Sequence, residues 1–196
     1  STTQMAGLTT TQVAGLISQQ VVGLTTAQIG ALGVAQVGAL GTAQLKVMTA
    51  TQVSGLTTTQ VAALSSTQVG GLSSLQMGAL TTTQLGALQS TSIGLISTMQ
   101  VKGLTTTQVG QLTTTQFAAL GTAQIKTLST AQLQGMTTTQ LSALTTTQVA
   151  GLTTAQINSL TTTQIEGLGS TSLTGLTTAQ VKGLTSAQVG VLSTTQ

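Results

Sequence analysis

The chain of 196 residues has no cysteine, proline, histidine, tryptophan or tyrosine, and it also lacks arginine and aspartate. Phe117 is its one aromatic residue and Glu166 its one carboxylate. Charged residues make up 3% of the chain, whereas a globular domain carries about 25%. The available chemistry is therefore that of Thr, Ser, Gln, Gly, Ala, aliphatic side chains and four lysines.

These absences argue against catalysis. General acid–base work needs His, paired carboxylates, Tyr or a tuned Lys, and a nucleophilic Ser or Thr needs an adjacent base. Zinc and iron sites need Cys, His or carboxylate clusters, and calcium sites need several acidic oxygens. No glycine-rich phosphate-binding motif is present. We predict that the chain is not an enzyme and has no catalytic, cofactor-binding or metal-binding residue and no small-molecule substrate.

The positive net charge of the chain does not indicate a nucleic-acid partner. The net charge is +3 and the calculated pI about 10.0, but this pI reflects scarce acids, and the four lysines form no run in the sequence. No aromatic cluster is available to stack bases. The chain has no apolar run of 18 residues, so the sequence predicts no membrane span. The lack of cysteine fits any redox compartment.

The sequence is a repeat of eight residues, here called an octad and numbered from Ser1. Thr9-Thr-Thr-Gln-Val-Ala-Gly-Leu16 is a representative octad, and 24 full copies plus a half copy fill residues 1–196 without insertion or deletion. We therefore predict one uninterrupted array. Because the chain starts and stops inside the pattern, we expect it to be a fragment of a longer one.

Each octad position has its own residue rule. Position 8 is Leu, with Met48, Ile96 and Met136 as exceptions, and position 5 is always a large apolar residue. Position 4 is Gln except at Ser92 and Ser172, and position 7 is mostly Gly or Ala. Position 6 holds every charged side chain: Lys46, Lys102, Lys126, Lys182 and Glu166. Since an unpaired buried charge is expensive, position 6 faces water, and positions 5 and 8 face inward.

The sequence also has a longer period of 80 residues, which equals ten octads. Gly41-Thr-Ala-Gln-Leu-Lys46 returns as Gly121-Thr-Ala-Gln-Ile-Lys126, and Lys102 returns as Lys182. Duplication of ten-octad blocks is the simpler explanation. The alternative is that ten octads complete a whole number of superhelical turns.

The spacing of the inward positions predicts short helices. Steps of five and three are both odd, so a flat strand would turn positions 5 and 8 to opposite faces. A continuous helix also fails, because eight residues advance it about 80° beyond two turns. Ser, Thr or Gly at position 1 matches an N-cap, and Gln at position 4 completes a capping box. Leu at position 8 and the apolar residue at position 5 form a hydrophobic staple.

We therefore predict an all-α solenoid with one very short capped helix per octad. Glycine at position 6 or 7 is expected to close each turn with a left-handed backbone. The near-constant glutamine is expected to satisfy backbone caps rather than to bind a ligand. The competing architecture is a β-solenoid with 16-residue coils, glycine corners, and stacked Gln and Thr ladders.

The motif Leu-Thr-Thr-Ala/Thr-Gln-Val/Ile-x-Ala/Gly-Leu resembles the octapeptide arrays of very long secreted or surface proteins of bacteria, some of them adhesin-like. The resemblance covers the whole chain and implies secretion, an extended scaffold or adhesive role, and no catalytic residue. Many such arrays have acidic residues or proline after the cap, where this chain has Thr, Ser or Ala.

The first functional hypothesis is a structural filament, sheath or fibre, extracellular or at the cell surface, that forms by self-association. Burial of two large side chains per octad barely offsets the entropy of ordering eight residues, and almost no charge keeps chains apart. The alternative is an adhesin stalk or a binding module that presents a threonine array to ice or another surface. Alanine in several octads, together with Gln19, Leu75 and Met99, interrupts that array at position 3.

Overall fold

The computed structural model describes residues 1–194, and within them the chain forms 24 short helices and no strand. The all-α prediction is confirmed, and the β-solenoid is not supported. The helices are α1 (Thr2–Ala6), α2 (Thr10–Ala14), α3 (Ser18–Val22), α4 (Thr26–Gly30), α5 (Val34–Gly38), α6 (Thr42–Val47), α7 (Ala50–Ser54), α8 (Thr58–Ala62), α9 (Ser66–Gly71), α10 (Ser74–Ala79), α11 (Thr82–Ala87), α12 (Ser90–Leu95), α13 (Thr98–Gly103), α14 (Thr106–Gln111), α15 (Thr114–Ala118), α16 (Thr122–Lys126), α17 (Thr130–Gln134), α18 (Thr138–Ser142), α19 (Thr146–Gly151), α20 (Thr154–Ser159), α21 (Thr162–Gly167), α22 (Ser170–Leu173), α23 (Thr178–Lys182) and α24 (Ser186–Gly190).

Each helix begins at position 2, directly after an extended cap residue at position 1. In α2 the cap residue Thr9 has φ −75° and ψ 159°. The Gln12 N–H donates to Thr9 Oγ1 at 3.2 Å, and the Thr9 N–H donates to Gln12 Oε1 at 2.8 Å. This reciprocal pair is a capping box, and it confirms the predicted register. Where position 1 is Gly41, only the bond from its N–H to Gln44 Oε1 forms, at 2.7 Å.

The helices end without a left-handed residue, so the prediction of a left-handed glycine at each turn was wrong. Gly15, the last residue before the corner after α2, has φ −81° and ψ −4°, and no described residue has a positive φ. The corner is formed instead by extended backbone at positions 8 and 1. Leu80, for example, has φ −60° and ψ 140°. Any residue adopts these angles, so left-handed geometry is not why glycine occurs at position 7.

Successive octads wind into coils, and within a unit a helix packs against the helix three places further along the chain. The pairs α6 with α9, α10 with α13 and α20 with α23 are examples. Side-chain bonds add contacts to the octad four places away, so one turn of the coil contains between three and four octads. For instance, Gln44 Nε2 donates to the Leu16 carbonyl oxygen, 28 residues earlier, at 2.7 Å.

The chain forms two compact units, Ser1–Gly103 and Leu104–Gln196. Unit 1 contains α1 to α13, and unit 2 contains α14 to α24. Within each unit the core consists of the side chains at positions 5 and 8. Val53 and Ile157 at position 5 are 0% exposed, and Leu56 and Leu160 at position 8 are 3% exposed. The predicted inward positions are confirmed in both units, except in the last octads of unit 2, where Val181 and Val189 at position 5 are each 51% exposed.

Candidate functional site

Glutamine at position 4 is the third inward position, and it joins consecutive coils. The Gln52 Oε1 atom accepts from the Thr49 N–H at 2.8 Å, as the capping box requires. Its Nε2 atom donates to the carbonyl oxygens of Val21 at 2.9 Å, Val22 at 3.1 Å and Leu24 at 2.6 Å, four octads earlier. Gln52 is 3% exposed. One buried amide thus caps its own helix and binds the preceding coil.

This arrangement recurs along both units, and we call it the glutamine ladder. In unit 1 it extends from Gln36 to Gln100, and in unit 2 it includes Gln132 to Gln188. The prediction that glutamine satisfies backbone caps is confirmed, and its bonds between coils were not predicted. Among residues 1–194, no buried side-chain nitrogen or oxygen lacks a hydrogen-bond partner. The interior therefore offers no unsatisfied polar group to a ligand.

Serine replaces the ladder glutamine in two octads, and Ser172 keeps a bond to a backbone carbonyl of an earlier coil. Ser172 Oγ donates to the Leu144 carbonyl oxygen at 2.8 Å, across the same 28-residue separation that glutamine spans. Ser92 Oγ lies 3.0 Å from Ser66 Oγ instead. Both serines are buried, and neither octad forms a capping box. The Ser172 hydroxyl therefore keeps the bond between coils but not the cap, whereas Ser92 bonds to another side chain.

The threonine-rich positions lie on the surface, as the threonine-array hypothesis requires. Positions 1 to 3 are exposed at Thr105, Thr106 and Thr107, among others. The hydroxyl at position 1 is engaged in the cap, since the Gln108 N–H donates to Thr105 Oγ1 at 3.1 Å. Positions 2 and 3 are thus the part of the surface where exposed hydroxyls repeat. The predicted interruptions Gln19, Leu75 and Met99 are also exposed.

All five charged side chains are exposed, which confirms that position 6 faces water: Lys46, Lys102, Lys126, Glu166 and Lys182. No cluster of three or more His, Cys, Asp or Glu residues that could hold a metal ion occurs in the described part of the chain. None of the helices between residues 1 and 194 has the length and apolar character that a membrane span needs. That the chain is not an enzyme stays a prediction.

Each unit has an open surface groove at the same place in the octad pattern. In unit 2 it has a volume of about 580 Å³ and lies between octad 16, octads 19 and 20, and octad 23. In unit 1 it has a volume of about 500 Å³ and lies between octad 6 and octads 9 and 10. The unit 2 groove is lined by Thr122, Ala123, Lys126, Ala150, Gly151, Leu152, Thr153, Thr154, Thr177 and Gln180. The unit 1 groove is lined by Thr42, Ala43, Lys46, Gly70, Gly71, Leu72 and Ser73.

The seven residues that line the unit 1 groove all have counterparts 80 residues later in the unit 2 groove, including Lys46 and its counterpart Lys126. Each groove contains one lysine and several hydroxyl groups of Thr or Ser. One wall of each groove is formed by a small residue at position 6, Gly70 in unit 1 and Ala150 in unit 2. The wall of the unit 1 groove is open at Gly70, where an added Cβ would meet no atom within 4 Å. The sequence did not predict the grooves or the bonds between coils, because both join octads that are three or four places apart in the chain.

A family model described as the ALTTAQ repeat matches residues 14–42, 35–66, 58–90, 117–154 and 139–170. Together these matches cover more than half of the chain and include residues of both units. The six letters correspond to the segment from position 7 of one octad to position 4 of the next, such as Gly151-Leu-Thr-Thr-Ala-Gln156. The comparisons with curated proteins and with solved structures found no match.

Proposed function

Because the chain belongs to the ALTTAQ repeat family, we propose that this repeat protein is a structural component of an extracellular or cell-surface filament, sheath or fibre. The observation that carries the proposal is the glutamine ladder. Within each unit, a coil offers the next one the same kind of backbone acceptors and receives amide donors from it, except at the two octads with serine at position 4. Stacking is thereby specified by the repeat itself, which is what a scaffold requires and what a catalytic domain does not need.

The nearly uncharged surface supports association between copies. Five charged side chains in 196 residues provide little of the repulsion that keeps soluble proteins apart. Positions 5 and 8 are buried in most octads, with Val181 and Val189 as exposed exceptions, so lateral contacts between copies would use the outer surface. Large apolar side chains are exposed there on α10, α12 and α13: Leu75 by 73%, Leu95 by 70% and Met99 by 62%. We assign the lateral contact to this patch.

Electron microscopy and sedimentation of the purified chain over a range of concentrations test the proposal. We expect filaments or bundles whose amount rises with concentration. The triple variant Leu75→Thr, Leu95→Ala and Met99→Thr should fold normally, because other octads carry these residues at the same positions, and it should associate less. Thr107→Ser, Ala119→Gly and Thr139→Ser form a matched control away from the patch. Unassociated particles of the unmodified chain at every concentration would contradict the proposal.

The second candidate is an adhesin stalk or a threonine-array module that binds ice or another surface. It is favoured by the exposed threonines at positions 2 and 3, which recur in most octads. Thermal hysteresis measured on the same samples separates the two candidates. Hysteresis without filaments would favour the threonine array, and filaments without hysteresis would favour the structural role.

A further inference from the structure

The four lysines, which are scattered in the sequence, lie in two columns. In unit 1, octad 10 lies between octads 6 and 13. Gln76 Nε2 donates to the carbonyl oxygens of Leu45 at 2.8 Å and Met48 at 2.7 Å, on either side of Lys46. On its other side, octad 10 approaches Gly103 so closely that a Cβ there would overlap the Ser74 backbone. Lys102 directly precedes Gly103.

Unit 2 has the same arrangement, with octad 20 between octads 16 and 23. Gln156 Nε2 donates to the Lys126 carbonyl oxygen at 3.2 Å. Asn158 Nδ2 donates to the Gly183 carbonyl oxygen at 2.9 Å, and Lys182 directly precedes that glycine. Two lysines therefore lie on opposite sides of one intervening octad in each unit.

The columns follow the 28-residue separation over which the glutamine ladder joins coils. Lys46, Ser74 and Lys102 are 28 residues apart in turn, as are Lys126, Thr154 and Lys182. We call these sets lysine column 1 and lysine column 2. Each presents a cation, a hydroxyl and a second cation on three successive coils. Packed helices typically lie about 8–10 Å apart, so we expect the backbone positions of the two lysines of a column to be separated by about twice that spacing.

The surroundings of each column are neutral and hydroxyl-rich. The groove beside Lys126 includes Thr153, Thr154 and Thr177, and the groove beside Lys46 includes Thr42 and Ser73. The one carboxylate, Glu166, is on α21, which packs against α18 and α24. Nothing acidic in the sequence of α16, α20 or α23 opposes an anion there.

We propose that the lysine columns bind a linear acidic polysaccharide along the coil-stacking direction. Widely spaced single cations suit a chain of sugars that carries separated carboxylates, and the hydroxyls between them suit sugar hydroxyl groups. Duplex DNA has one charge per about 1.7 Å and single strands require aromatic stacking, which the columns lack. Anionic membranes attract clusters of about four to eight basic residues, whereas each column has two lysines.

Binding of the intact chain to alginate, with uncharged dextran as the reference, tests this proposal at about 20 mM salt, where screening is weak. The decisive variant keeps the net charge and breaks both columns: Lys102→Gln, Gly86→Lys, Lys182→Gln and Ser142→Lys. Gly86 and Ser142 are exposed at position 6 of octads outside the columns. We expect alginate binding that weakens about fivefold or more in the variant, since each exposed charge contact is modest, and no binding to dextran.

Equal alginate binding by the variant would overturn the proposal, because net charge alone would then explain it, and so would absence of binding by the unmodified chain. Duplex DNA or phosphatidylserine vesicles that bind as tightly as alginate would show that the ligand class is wrong. Circular dichroism confirms that the variant folds. Filament formation, followed by microscopy in the absence of alginate, is an independent readout, so failure here is distinguishable from failure of the structural role.

Discussion

At the scale of the residue, the glutamine at position 4 explains most of the regularity of the chain. A capping box accepts Glu or Gln at this position, but this chain has Gln in all octads except those with Ser92 and Ser172. A carboxylate would cap the helix and could not donate to the preceding coil, whereas an amide does both. The cap was predictable because it is local. The bonds between coils were not, because their acceptors are 28 to 31 residues away.

Replacing Gln52 by Ala should destabilise the chain more than replacing Gln12 by Ala. Both glutamines form a capping box, worth about 1 kcal/mol. Only Gln52 is buried against an earlier coil, where its loss leaves the carbonyl groups of Val21 and Leu24 without this donor. We expect a loss of about 2–4 kcal/mol for Gln52→Ala and about 1 kcal/mol for Gln12→Ala. Urea unfolding followed by circular dichroism measures both. Equal losses would show that the ladder adds nothing to the cap.

At the scale of the element, the approach of neighbouring helices explains glycine at some of the position 7 sites, of which Gly103 is the clearest. The sequence predicted helix length and register correctly, because caps and staples are encoded within one octad. It did not predict why glycine is present, since the helices end without a left-handed residue. A Cβ at Gly103 would overlap the backbone of Ser74 on α10, three helices earlier. That contact exists only after the chain has coiled.

The same substitution should therefore have opposite effects at two glycines. Gly103→Ala places a methyl group against rigid backbone and should cost about 1–3 kcal/mol. Gly86→Ala lies in α11, where a Cβ would meet no atom within 4 Å, and should stabilise by about 0.5–1 kcal/mol through helix propensity. Thermal unfolding of the two variants beside the unmodified chain provides the measurement. Stabilisation by Gly103→Ala would mean that α10 and α13 are less closely packed than described.

At the scale of the whole molecule, the number of octads per coil could not be read from the sequence. It depends on the angle of the corner at positions 8 and 1, and two extended residues produce different angles with small changes in φ and ψ. What the sequence does encode is that every octad presents the same residue types at the same positions. Stability in each unit is then a sum of octads and of their contacts to neighbouring coils, as in other repeat proteins.

Two deletions within unit 1, one of eight residues and one of four, test whether the stacking of coils depends on the octad position of each residue or on individual residues. Removal of the octad Thr57–Leu64 shifts later octads by one place and brings Gln, Leu and Val to positions of the same type, so the remaining ladder can form. We expect unchanged helicity per residue and a free energy of unfolding lower by a few kcal/mol, because one octad and its contacts are lost.

Removal of Thr57–Gln60 alone should be far more damaging although it deletes fewer residues. The remaining half octad, Val61–Leu64, would follow Leu56 directly and would have no cap residue of its own. Every glutamine beyond the deletion would be displaced by half an octad and would meet the wrong part of the preceding coil. Buried carbonyl groups would then lose their donors, at about 1–3 kcal/mol each. Circular dichroism and urea unfolding compare the two deletions directly. If both were tolerated equally, octad register would not be what holds the coils together.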